Sequence, residues 1–102
     1  MTFTDVLNAL HAWLGRRVRA DIESSNASLL AHFRGVLTKG HDLGMALNPR
    51  RPDAAVYFTF GDTAGGFLLD PRAFETAREL PAGRCVRVQQ SGGITFTIEV
   101  VD

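Results

Sequence analysis

Few residues in this chain have the types and spacing that chemistry requires. The three histidines are His11, His32 and His41. None has a second ligand at a spacing such as His-x-x-x-His, so no metal site is expected. His41 and Asp42 adjoin in the chain, but neighbours on an extended backbone point apart. Cys85 lies beside Arg84 and two residues before Arg87. An outward-facing cysteine is expected there, and nearby positive charge lowers a thiol pKa. A nucleophile also needs a base, and none is identifiable, so Cys85 reads as a small strand residue. Gly61-Asp-Thr-Ala-Gly-Gly66 is glycine-rich but lacks the lysine of a phosphate-binding loop, and it reads as a turn. Asp21, Glu23, Asp62, Asp70, Glu75, Glu79 and Glu99 fit strand faces, turns or caps, and no two of them form an acid and base pair. The expectation is a non-enzymatic protein without a cofactor.

The arginines offer more. In residues 17–23, Val18, Ala20 and Ile22 alternate with Arg17, Arg19, Asp21 and Glu23. A period of two marks a strand with one wet face. A second run follows Ser-Ser-Asn, with Leu29, Ala31, Phe33 and Leu37 as its apolar set. Directly opposed residues of an antiparallel pair share a face. Val18, Ala20 and Ile22 are therefore expected opposite Phe33, Ala31 and Leu29. That register needs an even loop, either Ser25-Asn26 or residues 24–27. It places Arg19 opposite His32 and Arg17 opposite Arg34. Like charges so opposed are unfavourable, and the apolar pattern does not ask for them. Arg17, Arg19, His32 and Arg34 are thus the candidate anion-binding residues, for phosphate, a nucleic-acid backbone or an acidic partner. The plainer reading is that they are solvated or bridge to acids elsewhere.

The elements that must carry these residues follow from periodicity. Phe3, Val6, Leu7, Leu10, Trp13 and Leu14 recur at helical spacing, which predicts an amphipathic helix over 3–14. Thr2 and Asp5 have the spacing of a capping box, and Gly15 suits the helix end. That helix is expected to pack on a sheet or plug a barrel end. Gly35 falls on the inner face of its strand, where glycine marks a bend or bulge. Residues 39–53 read as a loop with a short strand or turn at Leu43–Leu47. Ala55–Phe60 is a third strand with Val56, Phe58 and Phe60 on one side, and Phe67-Leu68-Leu69 is a fourth. Asp70-Pro71 predicts the start of a short helix over 71–80. Cys85–Gln90 and Ile94–Val101 form the last hairpin, and matching their apolar faces requires Ser91-Gly92-Gly93 as a three-residue turn.

The order "helix, Leu-Gly-Arg-Arg-Val-Arg-Ala-Asp-Ile, turn, strand with a central glycine" resembles the Sm-like family over residues 4–47. Gly15, Gly35 and Asp42-x-x-Met45 stand in the order of that family's first motif. The resemblance implies a helix capping a small, strongly bent barrel, and ring-like assembly. It does not carry over base recognition. The family holds an RNA base with an asparagine after the methionine and the side chain before it, and here those positions are Ala46 and Gly44.

Bulk composition sets the remaining bounds. The 102 residues suit one domain with a single modest core. Lys+Arg and Asp+Glu are both 11, so the formal charge is zero, and the bulk charge counts against a dedicated nucleic-acid binder. Cys85 is the only cysteine, which excludes an internal disulfide. No basic segment leads into an apolar run, and no stretch is long and apolar enough to span a bilayer. The expected fold is mainly β, an N-terminal helix followed by a small bent antiparallel sheet or SH3/Sm-like barrel. The expected role is homo-oligomerisation or protein binding in the cytoplasm, with weak nucleic-acid or anion binding as the alternative.

Overall fold

A computed structural model describes residues 1–26, 28–42 and 55–102. The order is α1 (Phe3–Ala12), β1 (Arg17–Glu23), β2 (Leu29–Asp42), β3 (Val56–Phe60), β4 (Gly66–Leu69), β5 (Phe74–Glu79), β6 (Cys85–Gln90) and β7 (Ile94–Val100). The strands form one antiparallel sheet in the order β4-β3-β2-β1-β7-β6-β5, curled into a half-barrel. Among the described residues no helix is long and apolar enough to cross a membrane.

The helix begins as its sequence requires. Thr2 accepts the Asp5 backbone N–H, and the Asp5 carboxylate accepts the Thr2 N–H, at 3.1 and 2.8 Å. These two bonds close the capping box. Beyond the helix end, Gly15 donates to the Leu37 carbonyl at 2.8 Å and Leu37 donates to Arg16 at 2.9 Å. The helix is thereby tied to the middle of β2. Its apolar stripe faces the inside of the curled sheet: Val6 and Leu10 are fully buried, and Phe3 meets Phe74 of β5 edge to face.

The core lies between α1 and the inner sheet face. Val18, Leu37, Phe58, Val88, Phe96, Ile98, Leu10 and Trp13 are buried together as their spacing predicts. Ile22 and Phe33 lie at its margin, half-buried against it. An aromatic row runs through the middle, with Phe58 stacked on Phe67 at 5.5 Å and Phe67 edge-on to Phe96 at 6.2 Å. Aromatic pairs in such geometries add to plain area burial.

The sheet curls because β2 serves two neighbours. Residues up to Val36 pair with β1, and residues from Leu37 onward pair with β3. Gly35 sits at this change of partner, where its inner-face position predicts a bend. A Cβ there would lie 2.6 Å from Asp62 Oδ1 and 2.7 Å from Thr63 Cγ2. Only glycine lets the β3–β4 turn come so close. The last hairpin also follows prediction. Gln90 pairs with Ile94 across Ser91-Gly92-Gly93, and both glycines have positive φ, at 85° and 74°.

Three expectations are corrected. Residues 71–80 form no helix. Asp70 does accept the N–H groups of Ala73 and Phe74, each at 3.0 Å, but the single turn stops there and the chain continues as β5. Pairing with β6 overrides the helix propensity of this stretch. The β1–β2 register is displaced by two: Val18 opposes Gly35, Ala20 opposes Phe33 and Ile22 opposes Ala31. The face assignment survives for Ala31 and Phe33, because a shift of two keeps side chains on their side, but not for Leu29, which is 59% exposed. A bulge then sets Glu23 opposite Leu29, and the connection is five residues, closed by a bond from Ser24 N–H to the Ser28 carbonyl at 2.9 Å. Such a bulge lets an odd loop join two matched faces. Third, residues 39–42, expected as part of a loop, are the end of β2 and pair with β3. Cys85 faces outward as expected and is nonetheless buried. The segment Leu43–Leu47, with Gly44, Met45 and Ala46, lies outside the described residues.

Candidate functional site: the outer face of the sheet and the open half of β2

Alternation along five strands builds one polar surface. Its rows can be read across the sheet from the register. One runs Arg34, Arg19, Glu99, Cys85, and the next runs His32, Asp21, Thr97, Arg87, Arg78. The third runs Glu23, Thr95, Gln89, Thr76.

All four candidate anion-binding residues, Arg17, Arg19, His32 and Arg34, lie on this face. Their pairing differs from the expectation: Arg19 opposes Arg34, Asp21 opposes His32, and Arg17 opposes Val36. Three of the four meet carboxylates. Arg17 reaches Asp62 at 3.2 Å, Arg19 reaches Glu99 at 3.3 Å, and His32 Nδ1 lies against Asp21 Oδ1. Asp62 also accepts the Val36 backbone N–H at 2.8 Å. That bond, with Arg17 beside it, holds the Asp62 carboxyl below the ordinary 3.8. Arg34 is exposed, and among the described residues it makes no ion pair. A surface laced with its own counter-ions has little remaining field for an external anion.

The sequence reading missed a second basic pair. Arg78 of β5 stands directly opposite Arg87 of β6. Among the described residues, neither makes an ion pair, and the buried Nε of Arg87 has no hydrogen-bond partner. Leaving a buried donor unpaired costs about 1–3 kcal/mol in ordinary proteins. Two hollows meet at Arg87 and Gln89. The larger holds about 460 Å³ and reaches Glu23, Glu75, Thr95 and Thr97; the smaller holds about 340 Å³ and reaches Thr76 and Arg78. The pair was invisible while 71–80 read as a helix, because a helix has no register against β6. The alternation Thr76, Arg78 against Ala77 was the available signal.

Cys85 lies on the same outer face, opposite Glu99. Long charged side chains close over small neighbours, so facing outward does not expose it. Burial, then the negative charge of Glu99, pushes its thiol above the ordinary 9.0, while Arg87 and Arg19 pull the other way. A raised thiol pKa is the reverse of an activated nucleophile. Among the described residues no group of three or more His, Cys, Asp or Glu is placed to hold a metal ion.

The other distinctive feature is a backbone edge. Residues 29–35 of β2 pair with β1 on one side, and among the described residues no strand pairs with them on the other. Leu29 and Leu30 on this segment are 59% and 56% exposed, the most exposed large apolar residues described. The two outermost strands differ. β4 has four residues, and β5 is bulged and carries Glu75, Arg78 and Glu79. Short length, bulges and charge are the usual guards of a sheet edge.

Comparison with family models, with curated proteins and with solved structures gives no match to this chain.

Proposed function

We propose that this protein is a non-enzymatic assembly domain that self-associates through the first half of β2. The observation that carries the reading is the edge at residues 29–35, which has no strand partner among the described residues and carries the exposed Leu29 and Leu30. An antiparallel strand edge complements a second copy of itself, so a two-fold dimer with β2 beside its counterpart is the simplest product. Pairing there satisfies backbone groups otherwise left to water and covers four leucines, two from each copy. Zero formal net charge removes long-range repulsion between copies. The short strand edge makes the association reversible and concentration-dependent. A cytoplasmic setting and the bent-barrel architecture of Sm-like proteins are part of the same proposal.

Analytical ultracentrifugation over a wide concentration range tests it. The expected result is a monomer–dimer equilibrium that Leu29→Lys/Leu30→Lys shifts to monomer without loss of the folded spectrum. Amide exchange at residues 29–35 should slow as concentration rises. A wild type that stays monomeric at millimolar concentration overturns self-association. So does a dimer unaffected by the leucine changes.

A further inference from the structure

We propose that Arg78 and Arg87 form a small oxyanion site, which takes the carboxylate or phosphate group of a small molecule. The site is independent of the β2 edge and lies at the other side of the sheet. Three observations carry it.

The first is register. Two guanidinium groups directly opposed on adjacent strands repel, and the core does not require either of them. The second is the contrast with the arginines around them. Arg16, Arg17, Arg19, Arg72 and Arg84 each have a carboxylate within 4.0 Å, and only the exposed Arg34 among the other described arginines outside the pair has none. Among the described residues, Arg78 and Arg87 have none, and the Arg87 Nε is buried with no partner at all. A buried unpaired donor is rare enough to need an explanation. The third is space. The hollows of about 460 and 340 Å³ meet at Arg87, which lines both. The planar fork of an arginine matches the two oxygens of a carboxylate or phosphate. Arg78, exposed on the edge strand, supplies the second charge from the smaller hollow, where Thr76 and Gln89 add hydrogen-bonding groups.

The larger hollow restricts what else the ligand carries. Glu23 and Glu75 line it, so a polyanion such as a nucleic-acid strand meets repulsion beyond the first phosphate. The ligand fitted to this site has one oxyanion at Arg87 and a neutral or cationic remainder toward Glu23 and Glu75.

Amide and arginine side-chain chemical shifts, followed during titration of the full chain with sodium acetate and sodium phosphate at constant ionic strength, provide the test. Sodium chloride is the control. Saturable shifts centred on Arg87, Thr97 and Gln89, including the Arg87 Nε–H signal, are expected with at least one probe and not with chloride. Saturation by acetate alone identifies a carboxylate site, and by phosphate alone a phosphate site. Arg78→Gln and Arg87→Lys should each weaken binding at least tenfold, the second because it keeps the charge but loses the fork. Arg17→Gln should bind as the wild type does. Arg78 is exposed on an edge strand, so its variant keeps the test valid if changes at Arg87 disturb folding. Linear shifts with both probes, or equal loss in Arg17→Gln and Arg78→Gln, overturn the proposal.

Discussion

Asp62 accepts the backbone N–H of Val36 at 2.8 Å, joining residues 26 positions apart. The bond pins the β3–β4 turn to β2 where that strand leaves β1 for β3. In return, Gly61 donates to the Val36 carbonyl at 2.8 Å. Arg17 of β1 reaches the same carboxylate, so two strands and the β3–β4 turn meet at one acid.

Acid should weaken this junction. The folded-state pKa of Asp62 is depressed, so its contribution is fully present above the ordinary value near 3.8 and is lost as pH falls through the lower folded value. Denaturant unfolding of wild type and Asp62→Asn at about pH 7 and about pH 3 checks this, since the carboxylate range lies between them. The variant should lose less stability on acidification than the wild type. An equal loss in both removes the role of the Asp62 charge.

Gly35→Ala should destabilise the protein by about 1–3 kcal/mol, the usual cost of forcing extra atoms into packed structure. The added methyl meets Asp62 and Thr63 at under 3 Å, and Phe60 Cβ at 3.2 Å stops the turn from yielding freely. Urea midpoints measure the loss. Gly35→Ala at wild-type stability means that the turn packs elsewhere in solution.

Aromatic truncations should grade with depth. Phe58 is fully buried and stacked on Phe67, so Phe58→Ala should cost about 3–5 kcal/mol. Phe33 is half-buried at the core margin, and Phe33→Ala should cost clearly less. Equal losses at the two sites contradict the described depth of the core.

Cys85 should resist thiol reagents in the native state. It is 7% exposed, and burial raises its pKa, so the reactive thiolate is scarce at neutral pH. Labelling by an aromatic disulfide reagent at about pH 8, near the ordinary thiol range, should be slow in buffer and fast in denaturant. Rapid native labelling sets the side chain at the surface.

Local signals in the chain were legible where one element explains itself. Thr2 and Asp5 fix the helix start without help from elsewhere, and Ser91-Gly92-Gly93 fixes the last hairpin because turn length and face matching agree. Segment 71–80 was not legible. Asp70-Pro71 begins a helical turn, and Glu75, Ala77, Arg78 and Glu79 tolerate its continuation, but β6 offers a partner that local propensity cannot register. The β1–β2 register failed for a related reason. Periodicity fixes which side a residue faces, but a bulge at the turn moves every pair along by two. The candidate site inherited both errors. Arg19 lost His32 as its opposite residue, and the Arg78–Arg87 pair existed only once β5 was a strand.

The first strand of the sheet waits longest for its second neighbour. Arg19 of β1 reaches Glu99 of β7, 80 residues later. During synthesis β1 and β2 can meet early, but a lone hairpin is marginal in water. Until β7 clears the ribosome, Val18, Ala20 and Ile22 lie beside an unfilled edge in the middle of the future sheet. The half-barrel cannot close from its N-terminal half outward. It closes when β7 slots between β1 and β6, so its folding is dominated by distant contacts.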